Sequence, residues 1–105
     1  MSDSNKWKAI LETDPDDELL LFTYAKALYD EKSWAEAALI FRKLVTQKND
    51  YALAWAFLAR SLFESGDRKA AEEACQAGLP VARKQCHEIP LDEIESVLSD
   101  LKSEF

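Results

Sequence analysis

Leu53-Ala54-Trp55-Ala56-Phe57-Leu58-Ala59-Arg60-Ser61-Leu62-Phe63 restates, 34 residues on, the stretch Leu19-Leu20-Leu21-Phe22-Thr23-Tyr24-Ala25-Lys26-Ala27-Leu28-Tyr29. Leu19 returns as Leu53, Ala25 as Ala59 and Leu28 as Leu62, and the same offset joins Ala37 to Ala71. Conservative pairs fill the spaces between: Lys26 with Arg60, Tyr29 with Phe63, Asp30 with Glu64. A fixed period of this size marks a solenoid, in which each unit buries its apolar face against the next. Such arrays are binding scaffolds more often than catalysts. The recurrence therefore points to protein–protein recognition.

Working outward, the caps and periodicities predict an all-α chain. Asp14-Pro15-Asp16-Asp17-Glu18 offers an N-cap acceptor, a proline for the first helical position and carboxylates for the positive end of the helix dipole. A helix should run from there to about Asp30. Ser33-Trp34-Ala35-Glu36 has capping-box spacing and should open a second helix ending near Gln47. Asn49 or Asp50 can cap a third helix through Phe63. Ser65-Gly66-Asp67 is the next turn, with Gly66 suited to a left-handed position and Asp67 to the cap of the fourth helix. Gly78-Leu79-Pro80 predicts a kink or short break in that helix, which resumes to about Gln85. After Ile89-Pro90 a final amphipathic helix carries a stripe of Leu91, Ile94, Leu98, Leu101 and Phe105 opposite an acidic back.

The 105 residues suit a single domain with a modest core. Two glycines and three prolines leave little material for loops. A net charge of −7 argues against wrapping nucleic acid or lying on an anionic membrane, since both need clustered Lys and Arg. The N-terminal residues lack a secretory pattern, no apolar run is long enough for a membrane span, and two cysteines are too few for a disulfide framework. The expected location is the cytoplasm.

These residues resemble the tetratricopeptide repeat family. Trp55, Leu58, Ala59 and Leu62 match its first-helix positions, and Ala71 and Cys75 its second-helix positions. Leu21, Tyr24, Ala25, Leu28, Ala37 and Phe41 fill the same positions one repeat earlier. Trp7 lies eight residues before Pro15, the family's spacing of aromatic to proline, so Lys6 to Asp14 resembles the second helix of a truncated repeat. The resemblance covers roughly residues 6–85. It implies a half-repeat helix over 6–15, repeats over 16–49 and 50–85, and a C-terminal capping helix over 89–105. Alanine stands for the family glycine at Ala25 and Ala59, leucine for an aromatic at Leu28 and Leu62, and Asn49 where proline is commonest. These swaps keep small with small and apolar with apolar, except at Asn49.

In this family the first helices line a concave groove in which most known partners bind. The resemblance thus implies a partner groove formed by Leu19, Phe22, Lys26 and Tyr29 from one repeat. Leu53, Phe57, Arg60 and Phe63 come from the next, with Ala56 among them. Four aromatics on a solvent side would call for a cover. Lys26 and Arg60, in the same slot of each repeat, read equally as partners for a ligand carboxylate or as two solvated cations. Relatives that clamp acidic chaperone tails need a lysine where Phe22 stands and an asparagine where Lys26 stands, so that activity is not implied.

Two repeats fall short of the roughly three that a stable array needs. Either the terminal helix caps the array in cis, or, in the alternative reading, the chain is a self-associating structural protein, a homodimer through the groove or that helix. Its acidic side could also reach Lys26 and Arg60 and occupy the groove. Nothing converges for catalysis, a metal or a cofactor: Cys86 and His87 are neighbours on a helix and diverge, and no glycine-rich phosphate loop exists. Cys75 reads as a core thiol. The chain is expected to be no enzyme.

Overall fold

In the computed structural model, which describes residues 3–85 and 88–103, α1 (Asp3–Leu11) leads into a helical pair, α2 (Glu18–Asp30) and α3 (Trp34–Gln47). A second pair, α4 (Ala52–Glu64) and α5 (Arg68–Gln85), and a last helix, α6 (Glu88–Ser103), complete the order. α1 packs on α2, each pair packs on itself, α4 lies against α3 and touches α2, and α6 rests on both α4 and α5. The result is an all-α helical repeat.

The repeat extends to the turns. The Ser33 amide donates to the Leu28 carbonyl at 2.9 Å, and 34 residues on, the Asp67 amide donates to the Leu62 carbonyl at 2.9 Å. Such a bond closes a helix through one left-handed residue. Gly66 fills that position in the second turn at φ 95°, as expected, but the first turn uses Lys32 at φ 64°. A side chain there crowds its own carbonyl. Lys32→Gly should therefore raise the unfolding free energy by about 0.5–1 kcal/mol, net of glycine's greater freedom in the unfolded chain. Urea denaturation would read this; an unchanged or lower midpoint would refute it.

Several helix ends differ from expectation. α1 spans Asp3–Leu11 in place of Lys6 to Asp14, because Thr13 and Asp14 turn back to the carbonyls of Ile10 and Leu11. The Ser4 amide and hydroxyl donate to the Glu31 carboxylate at 2.9 and 2.8 Å, tying this helix to the end of α2. α2 begins only at Glu18: Asp17 is its cap, accepting from the Leu20 amide at 2.9 Å, while Pro15 lies in the preceding turn. Ser33 precedes α3 without a side-chain cap bond, and Tyr51, not Asn49 or Asp50, precedes α4. Asp67 does cap α5, through the Ala70 amide at 3.1 Å.

α5 is continuous through Pro80 to Gln85, so the short break allowed by the sequence does not occur there. Pro80 is exposed and costs the helix one hydrogen bond, while Ala74, Cys75, Gly78 and Ala82 bury the opposite side. α6 buries Pro90, Ile94, Val97 and Leu101, and Leu91 and Leu98 lie half-buried on its flank. The seam is thus rotated from the stripe read in sequence, because the helix must fill the trough between α4 and α5. Phe105, Cys86 and His87 lie outside the described residues.

α4 sits at the centre. Ala52, Ala54, Ala56, Leu58, Ala59, Ser61 and Leu62 are all buried, on several sides of the helix. Small residues all round let four helices approach it. Beside it, Cys75 is fully buried, and burial raises its thiol from the ordinary 9.0 to about 11, with Arg60 acting in the opposite direction and Glu72 adding to the rise. A raised folded-state value stabilises the fold fully below pH 9. That contribution is lost as pH rises from 9 towards 11, where the unfolded chain ionises first. In a Cys86→Ser background, urea midpoints should fall between pH 9 and 10, and Cys75→Ala should remove that part of the fall. An equal slope in both chains would refute the assignment.

Candidate functional site

The face shared by α2, α4 and α6 holds the residues singled out in sequence, but not all in the expected state. Phe22, Tyr29 and Phe57 are half-buried and interlocked. Phe22 stacks on Tyr51 with centroids 5.4 Å apart, Tyr29 meets Phe57 at 4.8 Å, and Phe57 meets Phe41 at 5.7 Å. Tyr29 also sets its ring edge-to-face with Trp34 at 5.0 Å. These rings join α2 to α4. Burial, helped by Glu93, raises the Tyr29 phenol to about 12 despite the opposing charge of Arg60. Ala56 is fully buried and adds nothing to the face.

The two cations are occupied. Lys26 Nζ lies 2.6 Å from Asp30 Oδ1 and 5.6 and 5.5 Å from the ring centres of Tyr29 and Phe57. Arg60 reaches across to α6, donating from Nε to Glu93 at 2.9 Å, from Nη1 to Asp100 at 2.7 Å and from Nη2 to the Ser96 hydroxyl at 3.0 Å. Glu64 stands 3.5 Å away, and the guanidinium lies 5.6 Å from the Phe63 ring centre. Burial alone would lower the Arg60 pKa, but the bonds to Asp100 and Glu93 hold it above its ordinary value. Only 13% of this side chain is exposed. The acidic side of the terminal helix therefore meets Arg60, as the sequence suggested, while Lys26 pairs within its own helix.

Besides Leu39 on α3, which is 70% exposed, open apolar side chains lie at the other end of the same helices. Leu19 is 71% exposed, Leu53 is half-buried and Ile89 is 75% exposed, and each is the second residue of its helix: α2, α4 and α6. Ile89 was not among the sequence candidates, because it follows Leu53 by 36 residues and a search at 34 passes over it. Its position at the start of an amphipathic helix was the available signal. Between α4 and α6, Tyr51, Ala52, Leu53, Ile89 and Pro90 line a cleft of about 780 Å³. Lys48, Asp50, Gln85 and Glu88 edge it, with Lys48 3.6 Å from Asp50. A second cleft, about 510 Å³, lies between α1 and α2 and takes in Trp7, Phe22, Lys26, Asp30 and Glu31. Of the sequence candidates, Leu53 lines the first cleft and Phe22 and Lys26 the second, while Leu19, Tyr29, Phe57, Arg60 and Phe63 line neither. Among the described residues, no group of three or more His, Cys, Asp or Glu gathers as a metal site would need, and no helix is long and apolar enough to cross a membrane.

The comparisons with known proteins agree with this architecture. The solution structure of BPP2914 from Bordetella parapertussis is similar over 99% of this chain and 90% of that one, at 26% identity and a TM-score of 0.80. A MamA RS-1 ArsTM double mutant shares the fold at a TM-score of 0.70 and 12% identity, over 96% of this chain and 65% of that one. No curated protein matches. The sequence profile of the tetratricopeptide repeat matches residues 28–89, from the end of α2 to the start of α6, and the chain belongs to the tetratricopeptide repeat family.

Proposed function

We propose that this chain is a non-catalytic interaction module that takes a segment of another protein, as a peptide or a helix, along the face of α2, α4 and α6. The family generally mediates protein–protein interaction. The observation that carries the reading is the apolar cleft lined by Leu53 and the 75% exposed Ile89, with Leu19, at the corresponding start of α2, 71% exposed. Soluble chains seldom leave large apolar side chains exposed at an apolar cleft unless something covers them. The surplus of carboxylates favours a protein partner over nucleic acid or an anionic membrane. The free thiol of Cys75 fits the cytoplasm.

The packing also selects the test. Phe22 and Phe57 hold α2 to α4, so an acidic residue there would disturb the fold as well as the face. Leu19→Asp/Ile89→Asp leaves the core untouched. Affinity capture from host lysate should recover a partner with the native chain and lose it with this variant, both having equal helicity and mass in solution. Recovery of the same protein by both would overturn the reading. A fall in solution mass of the variant would instead favour the homodimer.

A further inference from the structure

We infer that the segment bound by this face is basic and aliphatic, with an aliphatic side chain seated in the cleft between the N-terminal ends of α4 and α6. This rests on the reading of α2, α4 and α6 as the binding face. The cleft falls within the range of about 300–1,000 Å³ in which proteins hold ligand groups. Its walls are apolar, from Tyr51, Ala52, Leu53, Ile89 and Pro90, so it selects an apolar group.

The acidic side chains along the rest of the face decide the charge. Lys48 is matched by Asp50 at 3.6 Å, and Glu88 remains. Glu18 is close enough to Tyr51 to help burial raise the phenol above its ordinary value. The N-termini of α4 and α6 contribute about half a positive charge each. With Lys48 they roughly balance Asp50 and Glu88, so the cleft itself is close to neutral, and Glu18 lies outside its lining. Further along the face, Asp30, Glu64, Glu93 and Asp100 surround only Lys26 and Arg60. An incoming carboxylate would have to displace one already bound to Arg60 or join four like charges. A lysine or arginine meets neither obstacle. Lys26 and Arg60, which the sequence suggested could meet a ligand carboxylate, are already paired with carboxylates of this chain.

Selection from a phage-displayed library of random dodecapeptides tests this on the whole chain, with Ile89→Asp, Leu19→Asp and Glu88→Lys as comparison proteins checked for equal helicity. Enriched peptides should combine aliphatic side chains with Lys or Arg and should bind less tightly as salt is raised. They should weaken by about tenfold or more on Ile89→Asp. On Glu88→Lys they should weaken further as their own charge rises. Acidic or uncharged peptides would overturn the inference. So would peptides insensitive to Ile89→Asp but lost on Leu19→Asp, an outcome that leaves the binding face standing. Peptides indifferent to every variant, or no enrichment, would overturn both.

Discussion

Gly78→Ala is expected to lower the thermal midpoint by roughly 5–10 °C, against the usual gain from placing alanine in a helix. A Cβ at Gly78 would stand 2.5 Å from Trp55 Cβ, 3.1 Å from Trp55 Cγ and 3.2 Å from Ile94 Cδ1. The isoleucine tip can swing away. Trp55 Cβ cannot, because it is fixed to the backbone of α4, and the indole N–H is anchored to the Asn49 carbonyl at 2.8 Å. Alanine gains about 1 kcal/mol in helix propensity. Overpacking a close contact costs about 1–3 kcal/mol and more where backbone must move. The clash wins, and α4, α5 and α6 shift together. Gly66→Ala is the informative comparison: no atom lies within 4 Å, so its cost comes only from the φ of 95°. Circular-dichroism melts would decide, and an unchanged or higher midpoint for Gly78→Ala would refute the close approach.

Arg60→Met should destabilise the chain by about 2 kcal/mol and loosen α6 first. Methionine keeps most of the apolar stem, so the loss falls on the guanidinium, with its bonds to Glu93, Ser96 and Asp100 and its place over the Phe63 ring. An exposed pair would be worth well under that. Here the arginine is 13% exposed, while Glu93 at 29% and Asp100 at 45% stay partly in water and limit the effect. Arg60→Lys should recover little, since one ammonium cannot reproduce the planar fork that serves three partners. Hydrogen exchange should speed up in α6 more than in α2 and α3. Uniform acceleration across the chain would show that Arg60 does not specifically hold the last helix.

Much of this fold was legible because it is local and repeated. Leu28 and Leu62, Ala25 and Ala59, and Ala37 and Ala71 carried the period, and Gly66 and Asp67 carried one turn in full. What was hidden depended on how neighbouring helices lean. Lys32 gives no sign of a left-handed residue, because the Leu28–Ser33 bond imposes it. Gly78-Leu79-Pro80 reads as a break until Trp55 and Ile94 supply the reason for the glycine and packing holds the helix together. The wheel of α6 correctly had an acidic side, but its rotation, and hence the choice of Val97 for the core, is set by the trough it fills. Phe22 and Phe57 look exposed when each repeat is taken alone. Contact between α2 and α4 turns them into a joint, while Leu19 and Ile89 stay open, as does Leu39 on α3.

The central place of α4 has a bearing on how the chain melts. In a long repeat array each unit leans only on its neighbours, so one end can fray while the other persists. Here one helix contacts α2, α3, α5 and α6, and neither half keeps a core without it. Unfolding should therefore be a single cooperative step, with Trp7 at one end and Trp55 near the middle reporting the same midpoint. A ligand gripping only the edge between α4 and α6 would raise that shared midpoint, so its arrival would be felt as far away as α1.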